Sequence, residues 1–359
     1  MGKHAYLIIA HNKFEQLKML CEMLDFEQND IYMHIDAHVT DFDADSFRPS
    51  LRHSKMKFAE RTRVNWGGYS QIQAELNLLK AAANSGEDYS YYHLLSGADL
   101  PLRPAQEIWG FFEQRGTEFI HFSAHDFAME ERTQERAKCY HLLQEKVGRP
   151  TGWLYYMERG LVEMQKLLRV DRLKRNGMER LYCGSQWFSI TGALAKYVLS
   201  KEDWIKSAFS YGCCVDECFL QTLVMQSAFA GNLSMPPEAD DYHANMRWID
   251  WKRGNPYTFE DGDYEELIAS DYLFARKFDM DQYPKVCKAL YKNCVKKQTL
   301  SQRKLYWKRR IAWVPRDEEY KICIAKEKSL QNNTRPEVLS LTARNARVFR
   351  RVRRRLKRF

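Results

Sequence analysis

The sequence predicts an α/β protein built on a mostly parallel sheet with helices on both faces, and three observations carry that expectation. Over the first 125 positions short apolar runs alternate with helical patterns, the sequence form of repeated strand–helix–strand units. No apolar stretch approaches the roughly 18 to 20 residues that cross a bilayer, so a spanning helix is excluded. The 359 residues, 45% hydrophobic and 13% aromatic, are enough to bury a core and exclude disorder of the whole chain.

Taken in order, AYLIIA (5–10), DIYMHID (30–36), MKFAE (56–60), YSYYHLL (89–95) and EFIHF (118–122) read as strands. Helices are predicted between them over 13–24, over 71–83 with Ser70 as a cap, and over 104–114 with Pro104 in the first turn. Ligands of such sheets bind beyond the carboxyl ends of the strands. That rule singles out His11, Asn12, Asp36 and the turn from Ser96 to Asp99, each of which comes just after a predicted strand. His93 lies within its strand and reads as packing, while Gly67 and Gly68 mark a tight turn beside Trp66.

Residues 126–180 are charged and helical, a possible insertion or lid ending in DRLKRNGMER. GSQWFSIT (184–191) returns to strand character, TGALAKYVLSK (191–201) and DECFLQTLVMQ (216–226) to helix, and RWIDW (247–251) and YLFARKF (272–278) to strand. The expected organisation is a sheet domain over 1–283, an irregular basic extension over 284–343 and an arginine-rich tail over 344–359.

The net charge of +9 is concentrated in that tail, which holds nine Lys or Arg residues and no acid. Removing those nine from the 56 basic residues leaves 47, equal to the 47 acids, so the body is neutral. A tail of this kind attracts phosphates without sequence preference, and the body supplies no adjoining basic footprint; nucleic acid is therefore a remote reading. Val348, Val352, Leu356 and Phe359 share one helical face, so the tail reads as a basic amphipathic helix on an anionic membrane surface. The first residues, MGKHAYLIIAHN, lack the apolar region of a signal peptide. Nine cysteines, an odd number with no C-x-x-C pair, read as reduced thiols. Together these predict a cytoplasmic protein peripheral to the inner face of the plasma membrane.

Eight segments in order, AYLIIAHN, MHID, VNWGGYS, HLLSGADLPLRP, GSQWFSIT, VDECFLQT, RWIDW and LFARKFD, resemble the core-2/I-branching β-1,6-N-acetylglucosaminyltransferases and the related peptide O-xylosyltransferases, glycosyltransferase family 14. The resemblance spans about 6–279 and is that of a bacterial-type member. It implies a GT-A-like, Rossmann-type mixed sheet and an inverting glycosyltransferase that uses a UDP-sugar, GlcNAc favoured, without metal or cofactor. The acceptor it implies is a glycan or lipid-linked glycan in surface polysaccharide assembly. UDP-xylose with a peptide acceptor is the alternative, and a sugar-binding protein without catalysis is disfavoured by the presence of Glu217 and Lys277.

Inverting transfer needs one carboxylate to take the acceptor proton. By resemblance that base is Glu217 of Val215-Asp216-Glu217, where Val215 stands in place of the family's proline, and Asp216 joins the acceptor side. The departing diphosphate needs fixed positive charge. The family's phosphate-binding lysine matches Lys277, with Arg276 beside it; strand alternation points the two apart and favours Lys277. Arg253, or Lys252, is placed as a second phosphate cation, Trp251 as the acceptor-facing aromatic, and Asp36, His11, Asn12 and Asp99 around the nucleotide. The triplets Asp41-Phe42-Asp43, Asp43-Ala44-Asp45 and Asp279-Met280-Asp281 read as solvated surface rather than metal ligands.

Overall fold

A computed structural model describes residues 2–124, 129–148 and 151–295. The arginine-rich tail and most of the expected extension lie outside the described residues. Nine strands are described: β1 (Lys3–Ala10), β2 (Asn29–Ile35), β3 (Met56–Phe58), β4 (Tyr89–Ser96), β5 (Asp99–Pro101), β6 (Phe119–Ile120), β7 (Phe188–Thr191), β8 (Arg247–Ile249) and β9 (Phe274–Arg276). Six make the main sheet in the order β3-β2-β1-β4-β7-β6, with β1 to β4 parallel and β7 antiparallel to both β4 and β6. The other three form a small sheet, β5-β9-β8. This is the mixed α/β sheet flanked by helices that the alternating pattern predicts.

Strand β1 shows why both faces are covered. Ala5 and Leu7 enter one core with helix α2 (Ser70–Ala83), while Tyr6 and Ile8 enter the other with α1 (Phe14–Leu24) and α3 (Ala105–Phe112). Full burial of side chains this size contributes about 1.5–3 kcal/mol each, so a β1 exposed on either face is far less stable than the two-sided arrangement.

Between β6 and β7 the charged stretch forms α4 (Glu131–Lys138), α5 (Gln144–Val147), α6 (Gly152–Leu167) and α7 (Arg172–Arg175). Next come α8 (Gly192–Ser200), capped by the Thr191 hydroxyl, α9 (Glu202–Phe209), α10 (Phe219–Met225), α11 (Tyr264–Ala269) and α12 (Pro284–Val295). Helix α12 begins beyond the boundary expected at 283, yet Val286, Cys287, Leu290 and Cys294 are buried in the core beside α1, so the compact body continues through it.

Three local expectations are corrected. Ser70 is the first residue of α2 rather than its cap, because its hydroxyl is engaged by Asn65 and Glu145. The helix expected over 216–226 opens as a separate 3-10 turn, Val215–Glu217, before α10. Cys183 and Cys218 are joined in a disulfide, so the reading of reduced thiols throughout does not hold for this pair.

A polar chain crosses the interior. His93 packs as expected, with its ring nitrogens 2.8 Å from Ser189 Oγ and 3.0 Å from His4 Nδ1. Beyond Ser189 lies Arg247, whose buried guanidinium donates to Ser189 Oγ at 3.1 Å and to the Leu94 carbonyl at 3.0 Å, and also to the Phe188 and Asn245 carbonyls. Burial lowers its pKa to about 9.

Candidate active site

The three central parallel strands end level with one another. Ala10 pairs with Ile35 and Ile9 with Ser96, and just past those ends Asp36 donates its N–H to the Ala10 carbonyl at 3.0 Å and Gly97 to that of Ile9 at 2.9 Å. The sheet therefore brings His11, Asn12, Asp36 and the Ser96–Asp99 turn to one edge, as the strand-end rule requires. His11 and Asn12 are exposed there. The Asp36 carboxylate accepts from the N–H groups of His38 (2.9 Å) and Val64 (3.2 Å), which fix its orientation.

Asp99 is buried and works through the turn. It accepts from the Ser96 N–H and hydroxyl, both at 2.8 Å, and from Arg276 Nη1 at 2.9 Å. Arg276 also lies over the Trp187 ring at 4.6 Å. Strand β9 stops at Arg276, so the alternation expected to separate Arg276 from Lys277 does not extend to the lysine. Arg276 is instead committed to Asp99, whereas Lys277 is exposed and pairs with no carboxylate among the described residues.

Glu217 is positioned by ties from distant parts of the chain. Cys214 donates to the Gly67 carbonyl at 2.8 Å, Gly184 donates to the Glu217 carbonyl at 2.8 Å, and the disulfide anchors the next residue, Cys218. Gly67 has φ +71°, a conformation that favours glycine, and a Cβ there would also press on Gln144 Nε2 at 2.8 Å. Arg136 on α4 donates to Glu217 Oε2 at 2.8 Å, and the Glu217 side chain is 45% exposed. It is thus held yet open to an incoming hydroxyl.

Its neighbour Asp216 faces inward. One oxygen accepts from Gln71 Nε2 at 2.8 Å and the other has no partner among the described residues. Burial first, and the Glu217 charge second, push its pKa up to about 7. Glu75 on α2 is buried behind it, bonded to Gln186 at 2.9 Å and also raised by burial. Adjacent acids therefore sit in opposite environments, one solvated against a guanidinium and one desolvated.

Trp251 lies past the end of β8, half exposed, and donates to the Tyr242 hydroxyl at 2.8 Å. Tyr242 stacks on His121 at 4.0 Å and is pushed up to about 12 by burial, with the Glu217 charge adding to the effect. The pairing of Ile249 with Arg276 joins the strand before Trp251 to the cations. Arg253 departs from its expected role: it is bound to Asp250, Asp263 and Glu266, which already offset its charge. Asp279 and Asp281 are both paired with Lys13. Among the described residues no group of three or more His, Cys, Asp or Glu side chains is arranged to hold a metal ion.

The model of the Core-2/I-Branching enzyme family matches residues 4–271. The chain belongs to that family. This Core-2/I-branching enzyme is a glycosyltransferase, and its relatives divide between two transfer reactions. It is 26% identical over 330 residues to the N-acetyllactosaminide beta-1,6-N-acetylglucosaminyl-transferase of Mus musculus, covering 83% of this chain and 74% of that one. The Beta-1,3-galactosyl-O-glycosyl-glycoprotein beta-1,6-N-acetylglucosaminyltransferase of Homo sapiens is 24% identical over 310 residues, 77% of this chain and 66% of the relative. Xylosyltransferase 2 of Mus musculus is 21% identical over 298 residues, and the match spans only 32% of that longer protein.

Arg136, Gln71, Glu75, Trp187 and Tyr242 escape the sequence reading. Arg136 is one cation among many in a stretch that reads as a solvated helix, and nothing in its spacing marks it. Tyr242 carries a faint signal, an aromatic close to the RWIDW strand.

Proposed function

We propose that this glycosyltransferase moves a sugar, GlcNAc in preference, from a UDP-sugar to a hydroxyl of a glycan or lipid-linked glycan acceptor, with inversion and without a metal. The observation that carries the reading is Glu217, half open and held by Arg136, in a fold that also leaves Trp251 half exposed. A pyranose lying on the indole face would present its hydroxyl to Glu217. Glu217 takes the proton as the acceptor oxygen attacks the anomeric carbon, and the bond from that carbon to the diphosphate breaks on the opposite side. The charge that develops on UDP meets Lys277 and, behind it, Arg276. Asp36, His11 and Asn12 line the strand ends where the nucleotide would sit.

The test is transfer and hydrolysis across UDP-GlcNAc, UDP-xylose, UDP-galactose and UDP-glucose, each with EDTA and with manganese. UDP-GlcNAc turnover at full rate in EDTA is expected. A strict preference for UDP-xylose would move the enzyme to the peptide O-xylosyltransferase reading, which the xylosyltransferase relative keeps in view. Activity restored only by manganese would overturn metal independence.

A further inference from the structure

Helix α6 is inside out. Its buried positions include Glu158, Val162 and Gln165, of which two are polar. Those two fasten the helix by hydrogen bonds: Glu158 accepts from the Leu143 N–H at 2.9 Å, and Gln165 exchanges bonds with Tyr140 at 2.7 and 2.8 Å. The outer face is mostly apolar, with the exposed Glu163 at its edge paired with Arg159 and Lys166. Trp153, Tyr156 and Leu167 are 71%, 74% and 85% exposed, with Met157, Met164 and the adjoining Leu168 also exposed. These positions fall on one stripe at helical spacing, with Gly160 at its centre. A contiguous exposed apolar stripe of this kind marks an interaction site rather than ordinary surface.

A cluster of cations at the end of the stripe identifies its partner. Within ten residues that hold one acid, Asp171, three cations, Arg169, Lys174 and Arg175, are exposed, while Arg172 is buried on backbone carbonyls and Lys166 is paired with Glu135 and Glu163. Tryptophan and tyrosine above an apolar band, with cations at its end, match the chemistry of a lipid headgroup layer. We propose that α6 and the basic turn after it form a surface that docks on an anionic membrane, with the stripe at the acyl boundary and Arg169, Lys174 and Arg175 on lipid phosphates. The surface is independent of the arginine-rich tail and of the choice of donor sugar.

The placement connects to the site through α4. That helix turns Arg136 toward Glu217 and the neighbouring Glu135 toward α6, where it pairs with Arg159 at 3.2 Å and with Lys166. The docked membrane would lie two helices, about 20 Å, from Glu217, within reach of an extended acceptor anchored in lipid.

The experiment is co-sedimentation of the full chain with phosphatidylcholine vesicles, with and without phosphatidylglycerol. Trp153→Ser, Tyr156→Ser, Leu167→Ser and Leu168→Ser combined should weaken binding to the anionic vesicles about tenfold or more, with unchanged thermal melting and unchanged transfer to a soluble acceptor. Arg169→Glu with Lys174→Glu should remove the preference for anionic over neutral vesicles. A chain ending at Ala343 should retain binding that the serine variant still abolishes. Wild-type binding by the serine variant overturns the proposal. So does a change from dimer to monomer with vesicle binding intact, which would make a second copy the partner of the stripe.

Discussion

The proposed donor side and the proposed base side of this active site are built by different means. On the donor side, His11, Asp36 and Asp99 each come after a strand, and the register of one sheet delivers them to a common edge. The base side has no such scaffold: Glu217 depends on Arg136, 81 residues away in sequence, on the Gly184 N–H, on the Gly67 carbonyl through Cys214, and on a disulfide. Sheet register is shared by many residues, so one substitution perturbs it little. A turn held by a few long-range ties loses position when any one is cut.

The largest expected effect tests that contrast directly. Cys183→Ser with Cys218→Ser opens a link of sequence separation 35 and should lower stability by about 4 kcal/mol in urea denaturation. Turnover should fall with it while UDP affinity holds; a parallel loss of affinity would show the two sides to be one unit. Next, Glu217→Gln keeps shape and removes basicity, so kcat should drop about 100-fold or more with calorimetric UDP binding unaltered.

Within the donor side, the neighbouring cations should separate cleanly. Lys277→Ala should weaken UDP binding by about 1.5–3 kcal/mol without moving Tm, because nothing in the described protein leans on its charge. Arg276→Ala should cost about 1–3 kcal/mol of stability, since it strands the buried Asp99 carboxylate. Identical phenotypes would remove the distinction between a phosphate ligand and its support.

The smallest effect lies behind the base. The native state holds the Asp216 proton up to about pH 7, whereas an unfolded aspartate releases it near its ordinary value of 3.8. Between those values the native state binds more protons, so this group's contribution to stability falls as pH rises. Asp216→Asn, neutral at every pH, should match the wild type near pH 4 and be the more stable of the two above pH 7. A gap that does not change with pH would mean that the carboxyl is solvated rather than buried.

The same contrast explains what was legible in the sequence. Strands β1, β2 and β4 and helices α1 to α3 are readable from periodicity because each buries a continuous apolar face, and the strand-end residues come with them. Glu217 and Lys277 were singled out by the family resemblance. It did not reveal Arg136, because an arginine on a charged helix has no periodic signature of the carboxylate it meets. Arg253 reads as an available cation until folding brings Asp263 and Glu266 to it from α11 and the turn before it. The pairing of Cys183 with Cys218 is hidden among nine cysteines.

Arg247 gives the molecule a mechanical property. One guanidinium, carried by the small sheet, grips carbonyls at Leu94 on β4 and Phe188 on β7 of the large one. It rivets two plates through their thickness rather than latching them at the rim. A lysine could reach one of those carbonyls but could not span both in the same plane. The two sheets are thus clamped to each other from within, where β8 faces β4 and β7.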